Sequence, residues 1–273
     1  MKPKSASDNQ TFYTLLSSKI AFAAKNVSKS VMLPVNTAKH ADMSAIEGLA
    51  VLYGNTDKKF GKVMPNLPTK EDILRLTQRS REGYIVALGA STGGTDALEC
   101  VLRSFPDTIP PVLVVQHMPP VFTKLYSERM DKTCSITVKE AEDGDRLRQG
   151  LCLIAAGGRQ MELKKDAKGY FVKCYEGEKV SGHCPSVNVL FNSFAETAGN
   201  KGIGALMTGM GADGATGLLK MRQSGAYTIG QDKETCVVYG MPMEAYKLGA
   251  CCEQQPLANI GKTICKRLTD GWN

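Results

Sequence analysis

From Tyr84 onward, short apolar runs alternate with longer stretches in which apolar residues recur every three or four positions. Tyr84–Leu88, Val112–Gln116, Leu151–Ala155, Gly202–Met207 and Ala226–Gly230 are runs of five or six residues, the length of buried strands. Thr95–Ser104, Val121–Lys132, Ser186–Ala198, Ala215–Ser224 and Pro242–Gly249 carry helical spacing. Strands that are apolar throughout and separated by helices belong to sheets buried on both faces. The pattern therefore predicts an α/β fold, doubly wound, with a mostly parallel sheet and helices on both faces. Residues 160–185 break the rhythm, with a small β-ribbon insertion expected around Tyr170–Tyr175 and a polar loop ending in Ser181-Gly-His-Cys-Pro-Ser186. Pro185 suits the first turn of the helix that follows.

Before Tyr84 the pattern differs. An amphipathic stretch, Phe12 to Val27, precedes turn-prone segments such as Tyr53-Gly-Asn-Thr-Asp-Lys-Lys59 and Met64-Pro-Asn-Leu-Pro68. The expected organisation is an N-terminal helix and linker over residues 1–83 and one domain over residues 84–273.

Composition narrows the class. With 273 residues, 42% hydrophobic and 22% charged, the chain is of globular type, and no apolar run approaches the ~18 residues of a membrane span. Lys19 interrupts the apolar stretch that most resembles a signal peptide, so a cytoplasmic protein is expected. Nine cysteines form no CxxC pair and have no zinc-finger spacing to the three histidines, which points to free thiols and no metal. The net charge of +7 sits mainly in residues 1–83, which hold 13 Lys and Arg against 7 Asp and Glu. These basic residues are neither densely clustered nor interleaved with aromatics, so no nucleic-acid partner is expected.

Candidate chemistry lies where strands end, because ligands of an open parallel sheet gather at the carboxyl ends of its strands. Gly89-Ala-Ser-Thr-Gly93 fits the GxSxG elbow, a strand-to-helix turn that exposes its serine, here Ser91. The glycines are expected to supply positive φ and close backbone approach. A serine in such a turn can equally be a plain helix cap. His117 directly follows the second strand, and Asp213 lies in Thr208-Gly-Met-Gly-Ala-Asp-Gly214 after Gly202–Met207. Serine needs a base to take its proton, neutral imidazole can serve near pH 7, and a carboxylate on the other ring nitrogen fixes the tautomer. Taken singly, His117 could be a capped strand-end histidine and Asp213 a turn residue. His183 follows an irregular polar stretch and reads as substrate-side. Asp143 and Asp145 read as a solvated turn. The order Ser, His, Asp differs from that of α/β-hydrolases, so the elbow alone does not place the chain among them.

Six blocks in register resemble one family. Gly89-Ala-Ser-Thr-Gly-Gly-Thr95, Gln116-His-Met-Pro-Pro120, Val138-Lys-Glu-Ala-Glu-Asp-Gly144, His183-Cys-Pro-Ser-Val187, Thr208-Gly-Met-Gly-Ala-Asp-Gly214 and Cys236-Val-Val-Tyr-Gly-Met-Pro242 look like the catalytic domain of the bacterial chemotaxis methylesterase CheB. The resemblance implies Ser91 as nucleophile, His117 as base, Asp213 as orienting acid, and the backbone N–H groups of Thr92 and Met210 as oxyanion donors. It implies no cofactor. Its substrates would be γ-glutamyl methyl esters and certain glutamines on chemoreceptor cytoplasmic helices, with His183 and Ser186 as substrate-binding candidates. The family usually has His-Arg-Pro-Ser-Val-Asp where this chain has His183-Cys-Pro-Ser-Val-Asn188. Residues 1–83 carry no acidic pair with the downstream Asp and Lys of a receiver domain, although Thr14–Ala24 resembles the helix that joins receiver to catalytic domain. The chain then reads as a fragment or as a naturally receiver-less relative, with a receiver-type regulator as partner or a receiver domain that has been lost. Two other classes compete. A nucleotide-binding module would need GxGxxG or GxxxxGK[ST] spacing, which is missing from the first loop. A non-catalytic receptor-binding relative would keep the fold without turnover.

Overall fold

The computed structural model describes residues 63–78 and 83–271. The amphipathic stretch Phe12 to Val27 lies outside them. In chain order the elements are α1 (Lys70–Gln78), β1 (Ile85–Ala90), α2 (Gly94–Arg103), β2 (Val112–Gln116), α3 (Phe122–Thr133), β3 (Thr137–Glu140), β4 (Leu151–Ile154), β5 (Gln160–Asp166), β6 (Gly169–Tyr175), α4 (Val187–Thr197), β7 (Gly202–Leu206), α5 (Ala215–Gln223), β8 (Tyr227–Gln231), α6 (Met241–Lys247), β9 (Glu253–Gln255) and α7 (Leu257–Asp270).

Seven strands form one sheet in the order β3-β4-β2-β1-β7-β8-β9, and every neighbouring pair is parallel. β1, β2, β4, β7 and β8 have no exposed residue, which is why their sequences are predominantly apolar, with Gln116 in β2 and Thr228 and Gln231 in β8 buried as polar exceptions. One face packs Val86, Leu88, Val112 and Val114 against Leu98, Leu102, Tyr126, Met130, Ile260 and Ile264 from α2, α3 and α7. The other face packs Ile85, Ala87, Leu113 and Val115 against Phe191, Phe194, Leu218 and Met221 from α4 and α5. The doubly wound expectation holds, and the ribbon is the antiparallel pair β5–β6. Its inner residues Met161, Leu163, Val172 and Cys174 join the second core.

The chain leaves β1 toward β2 and later returns to its other side through β7. The strand order reverses there, and the crevice above β1, β2 and β7 is the place the topology assigns to a ligand.

Four elements go beyond the expected set. β3 and β9 are edge strands with few apolar residues. α7 buries Leu257, Ile260, Ile264 and Leu268. α1 falls inside the stretch expected to be linker: Thr69 bonds Asp72 in a capping arrangement, Leu76 is buried, and Asn66 N–H donates to Ala258 O at the start of α7. Residues 63–78 therefore belong to the same folded body as the sheet.

Candidate active site

Ser91 stands just beyond β1, where the chain turns over three residues into α2. The turn is closed by Gly94 N–H donating to Ser91 O at 2.8 Å and is tied to the β7 loop by Ser91 N–H donating to Thr208 O at 3.0 Å. The glycines serve two different needs. Gly93 has φ 77°, a conformation side chains resist, and a Cβ there would lie 2.5 Å from Val237 Cβ. Gly89 does not have positive φ, and the strand runs past it to Ala90, a correction to the expected stop. Its need is space: a Cβ at Gly89 would lie 2.3 Å from Val187 Cγ1 of α4. Gly209 similarly lets the β7 loop close on the serine, since a Cβ there would lie 2.8 Å from Ser91 Cβ.

His117 follows β2, with its N–H donating to Ala90 O at 3.2 Å. Its Nε2 is 2.8 Å from Asp213 Oδ2, and the two side chains are 7% and 1% exposed. Its Nδ1 is buried and has no hydrogen-bond partner among the described residues. An imidazole held through Nε2–H by a carboxylate presents an unprotonated Nδ1, the atom a general base requires.

Asp213 is held from four directions. Oδ2 also accepts Val187 N–H at 2.7 Å, while Oδ1 accepts Ser186 Oγ–H at 2.8 Å and Asn188 N–H at 3.1 Å. The carboxylate thus sits on the first amides of α4, where unpaired N–H groups and the helix dipole favour an anion. Burial, the largest single influence, pushes its pKa up; the bonds from His117, Ser186, Val187 and Asn188 together outweigh it and hold the carboxyl below its ordinary value.

The two residues expected to meet substrate differ in placement. Ser186 is fully buried and spends its hydroxyl on Asp213, so it braces the acid instead of facing a substrate. His183 lies at the site with its ring stacked on His117, centroids 3.6 Å apart and planes within 6°. Its Nδ1 is 2.9 Å from Ser181 O. Burial first, and the neighbouring His117 second, hold the His183 pKa below its ordinary value. Asp143 accepts Cys174 N–H and Asp145 pairs with Lys139, so both brace the β-ribbon and its approach. The departure at Asn188 falls on a buried residue. Its Oδ1 accepts Thr216 Oγ–H and Gly217 N–H in the first turn of α5, and its Nδ2 donates to Ser181 Oγ.

His117, His183 and Asp213 have ligand atoms within 4.8 Å of one another, yet the set does not suit a metal. Imidazole lone pairs lie in the ring planes, and two nearly parallel planes cannot both aim at one ion ~2.0–2.1 Å away. Both Asp213 oxygens are moreover engaged.

Sequence reasoning did not single out Gln116 or Thr208. Gln116 is buried at the end of β2 with Nε2 donating to Ser91 O at 2.8 Å. Thr208 Oγ1 donates toward Thr92 O at 2.9 Å and accepts Val238 N–H at 3.0 Å. The available signal was a polar residue closing an otherwise apolar strand, because burying one demands a partner.

Ser91, His117 and Asp213 thus each follow a strand at the carboxyl edge of one parallel sheet, the last two in direct contact. Residues 86–264 match the family model for the CheB methylesterase, and the chain belongs to that family. It is 51% identical over 185 residues to a protein of Syntrophomonas wolfei named protein-glutamate methylesterase/protein-glutamine glutaminase 2, covering 68% of this chain and 54% of that protein. A protein of Escherichia coli K12 named protein-glutamate methylesterase/protein-glutamine glutaminase is 46% identical over 187 residues, again 68% of this chain and 54% of the relative. The chain thus spans about half the length of these curated relatives. The crystal structure of the Thermotoga maritima CheB methylesterase catalytic domain superposes with a TM-score of 0.66 at 38% identity, over 68% of this chain and 98% of that one.

Proposed function

We propose that this protein hydrolyses γ-glutamyl methyl esters, and deamidates certain glutamines, on the cytoplasmic helices of chemoreceptors, acting in the cytoplasm in chemotaxis adaptation. The observation that carries the reading is the buried His117–Asp213 pair whose second imidazole nitrogen is left open beside the Ser91 turn.

In this reading His117 Nδ1 takes the Ser91 Oγ proton as Oγ attacks the side-chain acyl carbon. The carbonyl π electrons move onto oxygen, and the resulting oxyanion is met by Thr92 N–H and Met210 N–H, neither of which donates to another described residue. Met210 is 68% exposed, so the second donor stands at an open rim where a protein side chain can enter. Collapse expels methanol or ammonia, which takes its proton from His117. Water, deprotonated by the same nitrogen, then frees glutamate from Ser91. Asp213 stays ionised throughout and stabilises the transient imidazolium. Both substrates need this one sequence, and they match the paired activities in the relatives' names.

The test is incubation with a methylated receptor cytoplasmic fragment, reading methanol release and the loss of methyl mass from its peptides. Wild type releases methanol, and Ser91→Ala loses several orders of magnitude in rate, roughly 4 kcal/mol or more in barrier. Undiminished release by Ser91→Ala overturns the reading.

A further inference from the structure

The two peptides proposed to hold the oxyanion share a feature their sequences do not announce. A trans peptide points its C=O and N–H in opposite directions, so fixing the carbonyl fixes where the amide hydrogen aims. In the Gly209–Met210 peptide, Gly209 O accepts Gly240 N–H at 3.1 Å and Met241 N–H at 2.9 Å from the start of α6. In the Ser91–Thr92 peptide, Ser91 O accepts Gly94 N–H at 2.8 Å from the start of α2 and Gln116 Nε2–H at 2.8 Å. Each carbonyl is held by two donors. Three of the four are backbone amides, and the fourth is the side chain of Gln116.

We propose that Gln116 is a positioning residue for the reaction at Ser91: its carboxamide locks the Ser91–Thr92 peptide so that Thr92 N–H faces the developing oxyanion. The proposal rests on the hydrolase reading above and names a residue that acts through Thr92, not on the substrate. Three observations support it. Gln116 is only 1% exposed, so its donor is not exchanged with solvent. Its Oε1 is buried without a hydrogen-bond partner among the described residues, a cost that an apolar side chain of similar shape would avoid. Holding the Ser91 carbonyl is a role that such a side chain could not fill. The neighbourhood is also shaped around it, since a Cβ at Gly94 would lie 2.1 Å from Gln116 Oε1 and 2.6 Å from Ala90 Cβ. That accounts for the second glycine of the Gly93-Gly94 pair, whose φ is not positive.

The experiment compares Gln116→Met with wild type in the whole chain, using a methylated receptor fragment for kinetics and a fluorophosphonate for trapping Ser91. The phosphoryl oxygen of the trapped adduct stands where the oxyanion would, so its 31P resonance reports the donors directly. For Gln116→Met we expect kcat lower by about 10- to 100-fold, less than the loss of a whole oxyanion donor. KM should change less than about twofold, because the donor acts on the transition state, and the 31P resonance should shift. Were Gln116→Met to fail to fold, Gln116→Asn, which draws the carboxamide back by one methylene, gives the same comparison. Unchanged kcat, or a fall in kcat with an unshifted 31P resonance, overturns the proposal. If wild type itself neither turns over nor labels, the hydrolase reading has failed, an outcome distinct from failure of the Gln116 role.

Discussion

Asp213 shows how much a single residue can be made to do by its surroundings. An isolated carboxylate at 1% exposure would be driven to the neutral acid, but two α4 amides, one hydroxyl and one imidazole keep it ionised. Because its folded pKa is depressed, Asp213 adds stability above its ordinary value of 3.8, and that stability is lost as pH falls through the folded value. Asp213→Asn should therefore flatten the acid limb of a stability-versus-pH curve. It should also lower kcat by about 10⁴-fold, the cost of a misplaced tautomer in such a constellation. His183 gives a second pH signature. Its depressed pKa means that the unfolded chain takes up a proton the folded chain refuses, so stability falls as pH drops below the ordinary value of 6.5. His183→Phe keeps a flat ring against His117 and should remove that slope, measured by urea unfolding at a series of pH values.

At the scale of elements, the site depends on how closely β1 approaches the start of α4. Gly89→Ala would drive a methyl group into Val187, whose amide is one of the Asp213 donors. It should cost about 1–3 kcal/mol of stability through overpacking and lower kcat with little change in KM. Val121, beside the start of α3, offers the opposite case. It has φ 75° and ψ −45° with a β-branched, 66% exposed side chain, an arrangement that stores strain without burying anything. Val121→Gly should raise stability by about 1 kcal/mol, since relief of strain exceeds the entropy glycine adds to the unfolded chain.

For the molecule as a whole, the folded body includes α1 as well as the sheet. A chain beginning at Tyr84 loses the Leu76 contact with the first core and the Asn66 bond to the start of α7. It should be less stable than one beginning at Val63 by a few kcal/mol in denaturant unfolding, the usual cost of emptying a buried leucine site. The sheet itself was legible because strands buried on both faces must be mostly apolar, and the run Val112–Val115 marks β2 for that reason. β9 escaped because Glu253-Gln-Gln255 is an edge strand with no apolar residue to mark it. The stripe Leu257, Ile260, Ile264, Leu268 did carry the signal of α7. Within the site, Ser91, His117 and Asp213 could be gathered because each follows a strand. The supports could not: Ser186 meets Asp213 across 27 positions and Gln116 meets Ser91 across 25, and such pairings depend on the folded path.

In the proposed reaction, hydrolysis passes through an acyl group on Ser91. Rapid quenching of the enzyme with methylated receptor fragment, followed by mass spectrometry of the Ser91 peptide, tests it most directly. A glutamyl adduct on Ser91 that forms with the first methanol and is then lost to water is the predicted result. Methanol release with no adduct at any time, retained in Ser91→Ala, would contradict it.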